Sequence, residues 1–500
     1  MSWIFVIEKD EAHAREIAEA VAQMEPTVAT LRFLDPKAFL EWMTRLEQND
    51  PQLNPPLPSG KFRGIVTSVE NWKFRDVKLI GKFKALFIQK GLAQSEDELG
   101  VVFTGYEEES VHKKRYEQRS VNNFIYKPFD KVLLRQLLEI AFSGRGPVKN
   151  FYVHNYKGSF RVEMLKEILS TRLTELGFHT LSDQAVQTGT IAKYYAPFLE
   201  TQQHRSAMAQ ALSSQLNPKT GLHDVYLRFY ALDQQQSFNL QRLVKEKSHP
   251  RTLPTVAGSP KTFEFAFVEH EKSSLCQEIE PTFERFFQVP IRKTKDLPTM
   301  LKDLQALSSH PDHRFVFIDD LHVVGNEMNE LQSFINMNQK SPMSIFLLSK
   351  KIFPEDLERE LSTICEDIYY SPFNKSYLMK SLKLRWPTIP VKEELFESTR
   401  EFEQQIHVSN PVQIIEVSEV SVVIEYYREL PLSSFREFVF WMPEEAQTPT
   451  LLAQCVHTAP LQGKKGYQCH FIFFGLQDAE RKHLRLWMRH QYVEEKQKGS

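Results

Sequence analysis

The sequence has few cysteines and no cysteine pairs. Its 500 residues include Cys276, Cys365, Cys455 and Cys469, and none lies in a C-x-x-C arrangement or near a His pair with zinc-ligand spacing. This pattern argues against a structural zinc site. It predicts four buried free thiols instead.

An excess of charge of one sign is also missing. The chain carries 62 Lys and Arg against 64 Asp and Glu, for a net charge of −2, so no overall field favours nucleic acid or an anionic membrane. No apolar run approaches the roughly 18 residues that cross a bilayer, and charge begins at Glu8, too early for a secretory signal. We expect a cytoplasmic protein with no membrane span and no nucleic-acid partner.

Two kinds of catalytic equipment are absent as well. The run Phe315–Asp320 is similar to the Mg²⁺-holding strand of P-loop NTPases, but no G-x-x-x-x-G-K-[ST] segment occurs to hold the phosphates. No nucleophile–base pair or metal-ligand cluster emerges from the sequence either. These absences argue against an NTPase and predict a protein that is not an enzyme.

Apolar residues are plentiful. They make up 41% of the chain, which is enough to bury a core throughout, and 500 residues exceed the roughly 250–300 that one core supports. We expect three or four domains.

The chain repeats itself. Residues Ile125–Leu134 and Tyr369–Leu378 share Tyr, Pro, Phe, Lys and Leu at an offset of 244 residues, and the same offset relates Arg172–Gly177 to Glu416–Ser421. A stretch rich in Pro, Ser and Gly, residues 248–261, separates the two copies and has no apolar period. We interpret this stretch as a linker.

Each copy opens with short apolar runs separated by helical patterns. In the first copy the runs are Trp3–Ile7, Gly64–Val69, Val101–Thr104 and Phe124–Tyr126. Such alternation predicts a parallel sheet with helices on both faces, whose ligands bind outside the carboxyl ends of the strands.

The residues at these strand ends resemble those of response-regulator receiver domains, and Lys127-Pro-Phe prompts the comparison. In that family an acidic pair holds Mg²⁺, an Asp accepts a phosphoryl group, and Thr or Ser and Lys complete the pocket. The resemblance implies that the first copy retains Glu8, Thr104 and Lys127. It has Ser68 at the acceptor position, so no acyl phosphate can form there.

In the second copy, the resemblance places Asp319 at the phosphoacceptor position. Asp320, Glu269 and Ser349 are the other pocket remnants, whereas Ser371 replaces the Lys and His270 stands in the acidic pair. Phosphoryl transfer needs a cation and a counter-charge together. The alternative is that Asp319 and Asp320 are a solvated pair that ends a strand.

After each receiver-like segment come strand patterns that end in one amphipathic helix. In the first copy Val225, Leu227 and Phe229 alternate before a helix that carries Phe238, Leu240, Leu243 and Val244. The second copy shows the same pattern with Tyr467, Cys469, Phe471 and Phe473, followed by Leu484, Trp487 and Met488. A small barrel closed by a C-terminal helix fits both.

These segments resemble PilZ domains, which bind cyclic di-GMP through an R-x-x-x-R segment and a [D/N]-x-S-x-x-G turn. The resemblance makes Thr174, Gly177, Glu416 and Ser418 remnants of that turn, but no R-x-x-x-R precedes either one. The alternative is that Ser, Thr and Gly here only stabilise turn geometry.

The sequence therefore predicts an α/β plus β fold, with two receiver-like doubly wound parallel sheets alternating with two PilZ-like β-barrels. The expected domains are residues 1–145 (a pseudo-receiver), 149–247 (a PilZ-like barrel), 248–261 (the linker), 262–388 (the second receiver-like domain) and 395–495 (the second PilZ-like barrel).

For function, the pattern indicates a non-enzymatic bacterial signalling protein that acts through protein partners and needs no cofactor. The alternative is a live cyclic di-GMP receptor or a phospho-responsive regulator that uses the second repeat, with Mg²⁺ and cyclic di-GMP as its ligands. The sequence leaves open whether the protein forms a homodimer.

Overall fold

The computed structural model describes residues 2–25, 27–57, 59–71, 79–106, 121–142, 155–200, 206–246, 249–253, 262–269, 273–306, 311–320, 343–441 and 449–498. The chain divides into two compact units. Unit 1 combines Met1–Leu165 with Asn410–Ser500, and unit 2 is Lys166–Ser409.

The secondary structure is regular within both units. The strands are β1 Ser2–Ile7, β2 Val28–Phe33, β3 Lys61–Ser68, β4 Gly100–Gly105, β5 Asn123–Tyr126, β6 Asn155–Thr174, β7 Gly177–Ser182, β8 Ile191–Tyr195, β9 Ser206–Leu216, β10 His223–Tyr230, β11 His249–Thr252, β12 Phe263–Val268, β13 Ile291–Thr294, β14 His313–Asp319, β15 Met343–Ser349, β16 Asp367–Tyr370, β17 Phe396–Ser418, β18 Ser421–Tyr426, β19 Phe435–Val439, β20 Thr450–Pro460 and β21 Tyr467–Phe473. The helices are α1 Glu11–Met24, α2 Pro36–Glu47, α3 Leu79–Gln89, α4 Lys131–Phe142, α5 Gln234–Lys245, α6 Leu275–Phe286, α7 Leu297–Ala306, α8 Glu355–Leu361, α9 Lys375–Arg385 and α10 Asp478–Lys498.

Each unit contains one five-stranded parallel sheet. The strand order is β2-β1-β3-β4-β5 in unit 1 and β13-β12-β14-β15-β16 in unit 2. This is the doubly wound order of flavodoxin-like domains, in which the order reverses beside the first strand. The prediction of two doubly wound parallel sheets is confirmed.

The alternation of side chains along β1 explains why helices cover both faces of the first sheet. Phe5 packs in one apolar cluster with Phe39 and Trp42 of α2, whereas Val6 packs in another with Ile17 of α1. Successive strand residues point to opposite faces, so a continuous apolar run needs cover on both sides.

Each unit also contains an antiparallel sheet, and β6 and β17 contribute to both sheets. In unit 1 the order is β17-β18-β21-β20-β19-β6, and in unit 2 it is β6-β7-β10-β9-β8-β17. The first half of β6 and the second half of β17 belong to unit 1, and their other halves belong to unit 2. Each sheet therefore takes one strand from the other copy.

The two units pair the copies crosswise. Unit 1 joins the parallel domain of the first copy to most of the antiparallel sheet of the second copy. Unit 2 joins the parallel domain of the second copy to most of the antiparallel sheet of the first copy. The predicted segments 149–247 and 395–495 each continue from one unit into the other. Within the predicted linker, His249–Thr252 forms β11, which pairs with β17.

The helix that follows each antiparallel sheet packs on it largely as predicted. Leu484, Trp487 and Met488 of α10 join the core of unit 1. In α5, Leu240 and Val244 are buried, but Phe238 is 64% exposed, because residues four apart share a helix face and Phe238 lies on the opposite side.

In unit 1 a buried asparagine links the parallel domain to the antiparallel sheet. Asn123 donates from Nδ2 to the carbonyl of Phe473 at 3.2 Å and accepts the N–H of Gly475 at 3.2 Å. Nearby, Phe103 and Phe124 pack with Phe474.

In unit 2 the equivalent position is a buried ion pair. Asp367, 244 residues after Asn123, accepts the N–H of Ala231 at 2.9 Å and pairs with the guanidinium of Arg228. Arg228 also donates to Ser381 Oγ at 2.8 Å and to the carbonyl of Glu366 at 2.9 Å. Both side chains of the pair are fully buried.

Two expectations from composition can be compared directly with the structure. All four cysteines are free and buried, as predicted. None of the helices in the described part of the chain has the length and apolar character needed to cross a bilayer.

Candidate functional site

The carboxyl edge of the first parallel sheet holds a buried ion network. Lys127 follows β5, and its Nζ lies 2.9 Å from Glu8 Oε2, 3.2 Å from Ser68 Oγ and 3.2 Å from Glu70 Oε1. The Lys127 and Glu8 side chains are each 1% exposed. The structure thus brings together Glu8, Ser68 and Lys127, which the sequence placed at strand ends.

The Lys127 ammonium group has two acidic neighbours. Burial is the largest single effect on the pKa of Lys127 and lowers it, but hydrogen bonds and charge from Glu8 and Glu70 outweigh burial and raise the pKa overall. The ammonium group is therefore held charged between two carboxylates. Because Ser68 is neutral, nothing at the acceptor position adds to the negative charge.

Thr104, at the same edge, is fully buried. Its Oγ1 has no hydrogen-bond partner among the described residues. Glu70 was not singled out from the sequence, although it lies only two residues beyond Ser68, just after the strand end that the apolar run marks. Its contact with Lys127 depends on the fold.

The matching edge of the second parallel sheet gathers carboxylates. Asp319 ends β14 and is buried, and Asp320 follows it directly. Ser349 Oγ, at the end of β15, donates to Asp320 Oδ2 at 2.6 Å. Burial raises the pKa of Asp320, and the neighbouring Asp319 adds to this effect while the Ser349 bond opposes it.

Glu269 follows β12 at the same edge and is half-buried. Burial raises the pKa of the Cys276 thiol, and the charges of Asp319 and Glu269 raise it further, so both carboxylates lie near that thiol. His270 lies outside the described residues. The structure therefore places Asp319, Asp320, Glu269 and Ser349 at one edge.

The position that carries Lys127 in the first copy has no cation in the second. Ser371 stands there, and its hydroxyl donates to Glu278 Oε2 of α6 at 3.2 Å. The carboxylates at this edge therefore receive no ammonium group from the position that supplies one in the first copy. Within the described ranges, no three His, Cys, Asp or Glu side chains form a group that could hold a metal ion.

The predicted turn residues of the first antiparallel sheet bind their own backbone. Thr174 Oγ1 accepts the N–H of Leu176 at 3.1 Å and of Gly177 at 2.9 Å. A Cβ atom added to Gly177 would lie 2.1 Å from the Leu227 carbonyl oxygen. Gly177 is thus required by the close approach of β10 to β7.

The second turn repeats this arrangement. Ser418 Oγ accepts the N–H of Val420 at 3.3 Å and of Ser421 at 3.1 Å, and it lies 2.9 Å from Ser421 Oγ. Ser418 is fully buried. Glu416, two residues earlier on β17, is half-buried and lies opposite Val423 of β18.

Known protein structures are similar to only part of this chain. No family model matches it, and no curated protein matches it. A solved response regulator receiver protein from Burkholderia phymatum aligns with 29% of this chain and 99% of its own, at 14% identity and a TM-score of 0.21. The response regulator DrrB of Thermotoga maritima, an OmpR/PhoB homolog, aligns with 27% of this chain and 51% of its own, at 17% identity and a TM-score of 0.19.

Proposed function

We propose that this chain is a non-enzymatic signalling protein of a bacterial regulatory system, which acts by binding protein partners. The observation that carries the proposal is the buried network of Lys127 with Glu8 and Glu70. A receiver needs an unpaired acidic group for Mg²⁺ and a Lys that can turn to a new phosphoryl group. Here the Lys is already paired with both acids.

The chemistry of phosphoryl transfer supports this reading. Catalysis of that transfer consists mostly of positioning and charge neutralisation, so its parts work only as a set. The first edge has the Lys and lacks the acceptor, while the second edge has Asp319 and has Ser371 in place of the Lys. Neither edge carries the complete set.

Asp319 supports a second candidate, a phospho-responsive regulator. It ends β14 directly before Asp320, and two carboxylates at one edge are ligands that Mg²⁺ prefers. In this candidate Mg²⁺ would draw on these oxygens, and phosphorylation of Asp319 would change the surface that partners contact.

Beryllofluoride binding separates the two candidates. The full chain and its Asp319→Asn variant are titrated with beryllofluoride and Mg²⁺ and followed by ¹⁹F NMR. The first proposal expects no protein-bound resonance in either protein. A bound resonance in the wild type alone establishes the second candidate, and one that persists in the variant contradicts both.

Cyclic di-GMP binding, the other alternative from the sequence, has its own test. The hydroxyl oxygens of Thr174 and Ser418 accept N–H groups of their own turns, and no R-x-x-x-R segment precedes either turn, so we expect calorimetric titration of the full chain to show no saturable binding. Micromolar binding would overturn the partner-only proposal.

We also infer a cytoplasmic location, which four unpaired cysteines suit because disulfides form mainly in oxidising compartments.

A further inference from the structure

Unit 2 contains a cavity that none of the preceding functions uses. Its volume is about 290 Å³, close to the lower end of the roughly 300–1,000 Å³ that is usual for small-molecule sites. Side chains from β6, β7, β9, β10, β11, β17 and α9 line it. It therefore lies between the antiparallel sheet of unit 2 and helix α9 of the second parallel domain.

One wall is a polar row that crosses four adjacent strands. Arg172 of β6 lies opposite His179 of β7, His179 lies opposite Tyr226 of β10, and Tyr226 lies opposite Ser213 of β9. Directly opposed residues of antiparallel strands present their side chains on the same face. The residues next to them in sequence, such as Leu173 and Phe178, point into the core.

Two rings in this row pack against each other. The His179 and Tyr226 rings are 4.8 Å apart with an angle of 34° between their planes. His179 Nδ1 lies 2.9 Å from Asp224 Oδ1, which holds the imidazole in place. An aromatic pair that lines a cavity offers a ring face to a planar ligand body.

A cross-strand pair and one apolar side chain also line the cavity. Arg251 of β11 lies directly opposite Glu397 of β17, and Leu384 of α9 also lines the cavity. The Tyr226 hydroxyl donates to Glu397 Oε1 at 3.3 Å. Burial raises the pKa of Glu397, and the charge of Arg251 opposes this effect.

The mouth of the cavity carries two guanidinium groups. Arg172 Nε lies 3.3 Å from Glu401 Oε1, and these side chains are 41% and 81% exposed. An exposed ion pair of this kind contributes little to stability, so an incoming anion can replace Glu401 at little cost. Arg251 is exposed beside it.

We propose that this cavity binds a small organic anion with a planar body, its carboxylate or phosphate held by Arg172 and Arg251 and its ring placed against His179 and Tyr226. Guanidinium groups match both anions because each offers a planar fork of donors. The ligand would join the antiparallel sheet to α9, so its binding stabilises the folded unit.

Four probes test the two parts of this assignment by calorimetric titration of the full chain. Phenyl phosphate and benzoate carry a ring and an anion, inorganic phosphate carries the anion alone, and benzamide carries the ring without charge. We expect at least one of the first two to bind saturably, at least tenfold more tightly than inorganic phosphate and benzamide. Which of the two binds more tightly identifies a phosphate ester or a carboxylate as the natural ligand class.

Three variants locate the binding site. Arg172→Gln and Arg251→Gln should each weaken binding of the better probe at least tenfold, whereas Arg15→Gln removes an exposed arginine of unit 1 and should leave it unchanged. Thermal unfolding without a probe checks that each variant is folded. The assignment fails if neither ring anion binds, if benzamide or inorganic phosphate binds as tightly, or if both cavity variants bind like the wild type.

Discussion

The ion network around Lys127 makes a sharp prediction about single residues. Replacing Lys127 by Met leaves the Glu8 carboxylate buried without its cation, and breaking a buried ion pair in this way costs about 3–5 kcal/mol. We expect Lys127→Met to lower the free energy of unfolding by that amount, measured by urea denaturation. The exposed Lys9→Met variant is the control and should change stability by less than about 0.5 kcal/mol.

The buried pair of this network, Glu8 and Lys127, can be removed together. In a Glu8→Leu, Lys127→Met double variant no charge is left buried between these positions, and we expect most of the lost stability to return, because apolar replacements of a buried pair are often neutral. If the double variant were as unstable as Lys127→Met, the cost would come from packing around Lys127 and not from the charge of Glu8.

A buried histidine in unit 1 predicts how stability depends on pH. Burial is the main cause that lowers the pKa of His470 from 6.5 to about 4, and the neighbouring His457 lowers it further while Glu416 opposes the shift. Between these values the unfolded chain binds a proton that the folded chain does not. The contribution of His470 to the free energy of unfolding is therefore fully present above pH 6.5. It is lost as the pH drops towards 4, by at most about 3 kcal/mol.

Urea denaturation at pH 7 and pH 4.5 measures this dependence. We expect His470→Gln to reduce the difference between the two pH values, whereas His249→Gln, which removes an exposed histidine of unit 2, should not. An unchanged difference in the His470 variant would show that other groups account for the acid sensitivity.

At the scale of elements, the approach of β7 to β10 depends on one glycine. A methyl group at Gly177 would lie 2.1 Å from the Leu227 carbonyl oxygen, so the strands must separate. We expect Gly177→Ala to destabilise the protein by roughly 1–3 kcal/mol, the usual cost of overpacking, as measured by thermal or urea unfolding. Gly221→Asn is the control, since Gly221 has φ +70° and open space and Asn tolerates that backbone region.

The elements were the easiest part of the fold to predict. The apolar runs Trp3–Ile7 and Val101–Thr104 coincide with β1 and β4 to within one residue at each end, because continuous apolar runs of this length need burial on both faces. Strand β2 was not predicted from the sequence. Its residues Val28–Phe33 include polar, partly exposed positions, as expected for a strand at the edge of a sheet.

At the scale of whole domains, the parallel domain and the antiparallel sheet meet through an asparagine in unit 1 and through an ion pair in unit 2. Replacing the residues of unit 2 by those of unit 1 tests whether the two contacts are equivalent. Arg228→Met alone should cost unit 2 about 3–5 kcal/mol because Asp367 stays buried without its ion-pair partner. The double variant Arg228→Ile, Asp367→Asn reproduces Ile472 and Asn123 of unit 1, and we expect it to recover most of that loss in urea denaturation. A double variant no better than Arg228→Met would mean that the two contacts are not equivalent.

The crosswise pairing predicts the behaviour of separated halves. Residues 1–253 lack the segment Asn410–Ser500 that completes unit 1, and residues 254–500 lack the strands that complete unit 2. We expect the two fragments to co-purify when expressed together and to expose apolar surface when expressed alone, as measured by size-exclusion chromatography and dye binding. Two halves that are each stable, folded monomers would contradict this arrangement.

The candidate site was partly predictable. The positions of Glu8, Thr104 and Lys127 follow from strand ends, because the carboxyl ends of parallel strands meet at one edge. Glu70 and the polar row of Arg172, His179 and Tyr226 were not predictable in this way. Their meeting depends on loop path and strand register, which no local pattern in the sequence specifies.

The sequence alone determined the repeat, the alternation of element types and the residues at the parallel strand ends, since each follows from local periodicity and composition. Only the tertiary structure decided which copy of the antiparallel sheet joins which parallel domain. Both copies carry similar apolar faces, so local patterns cannot distinguish a sheet paired with its own domain from one paired with the other. In the structure, the long strands β6 and β17 each run from one unit into the other, which places each antiparallel sheet with the parallel domain of the other copy.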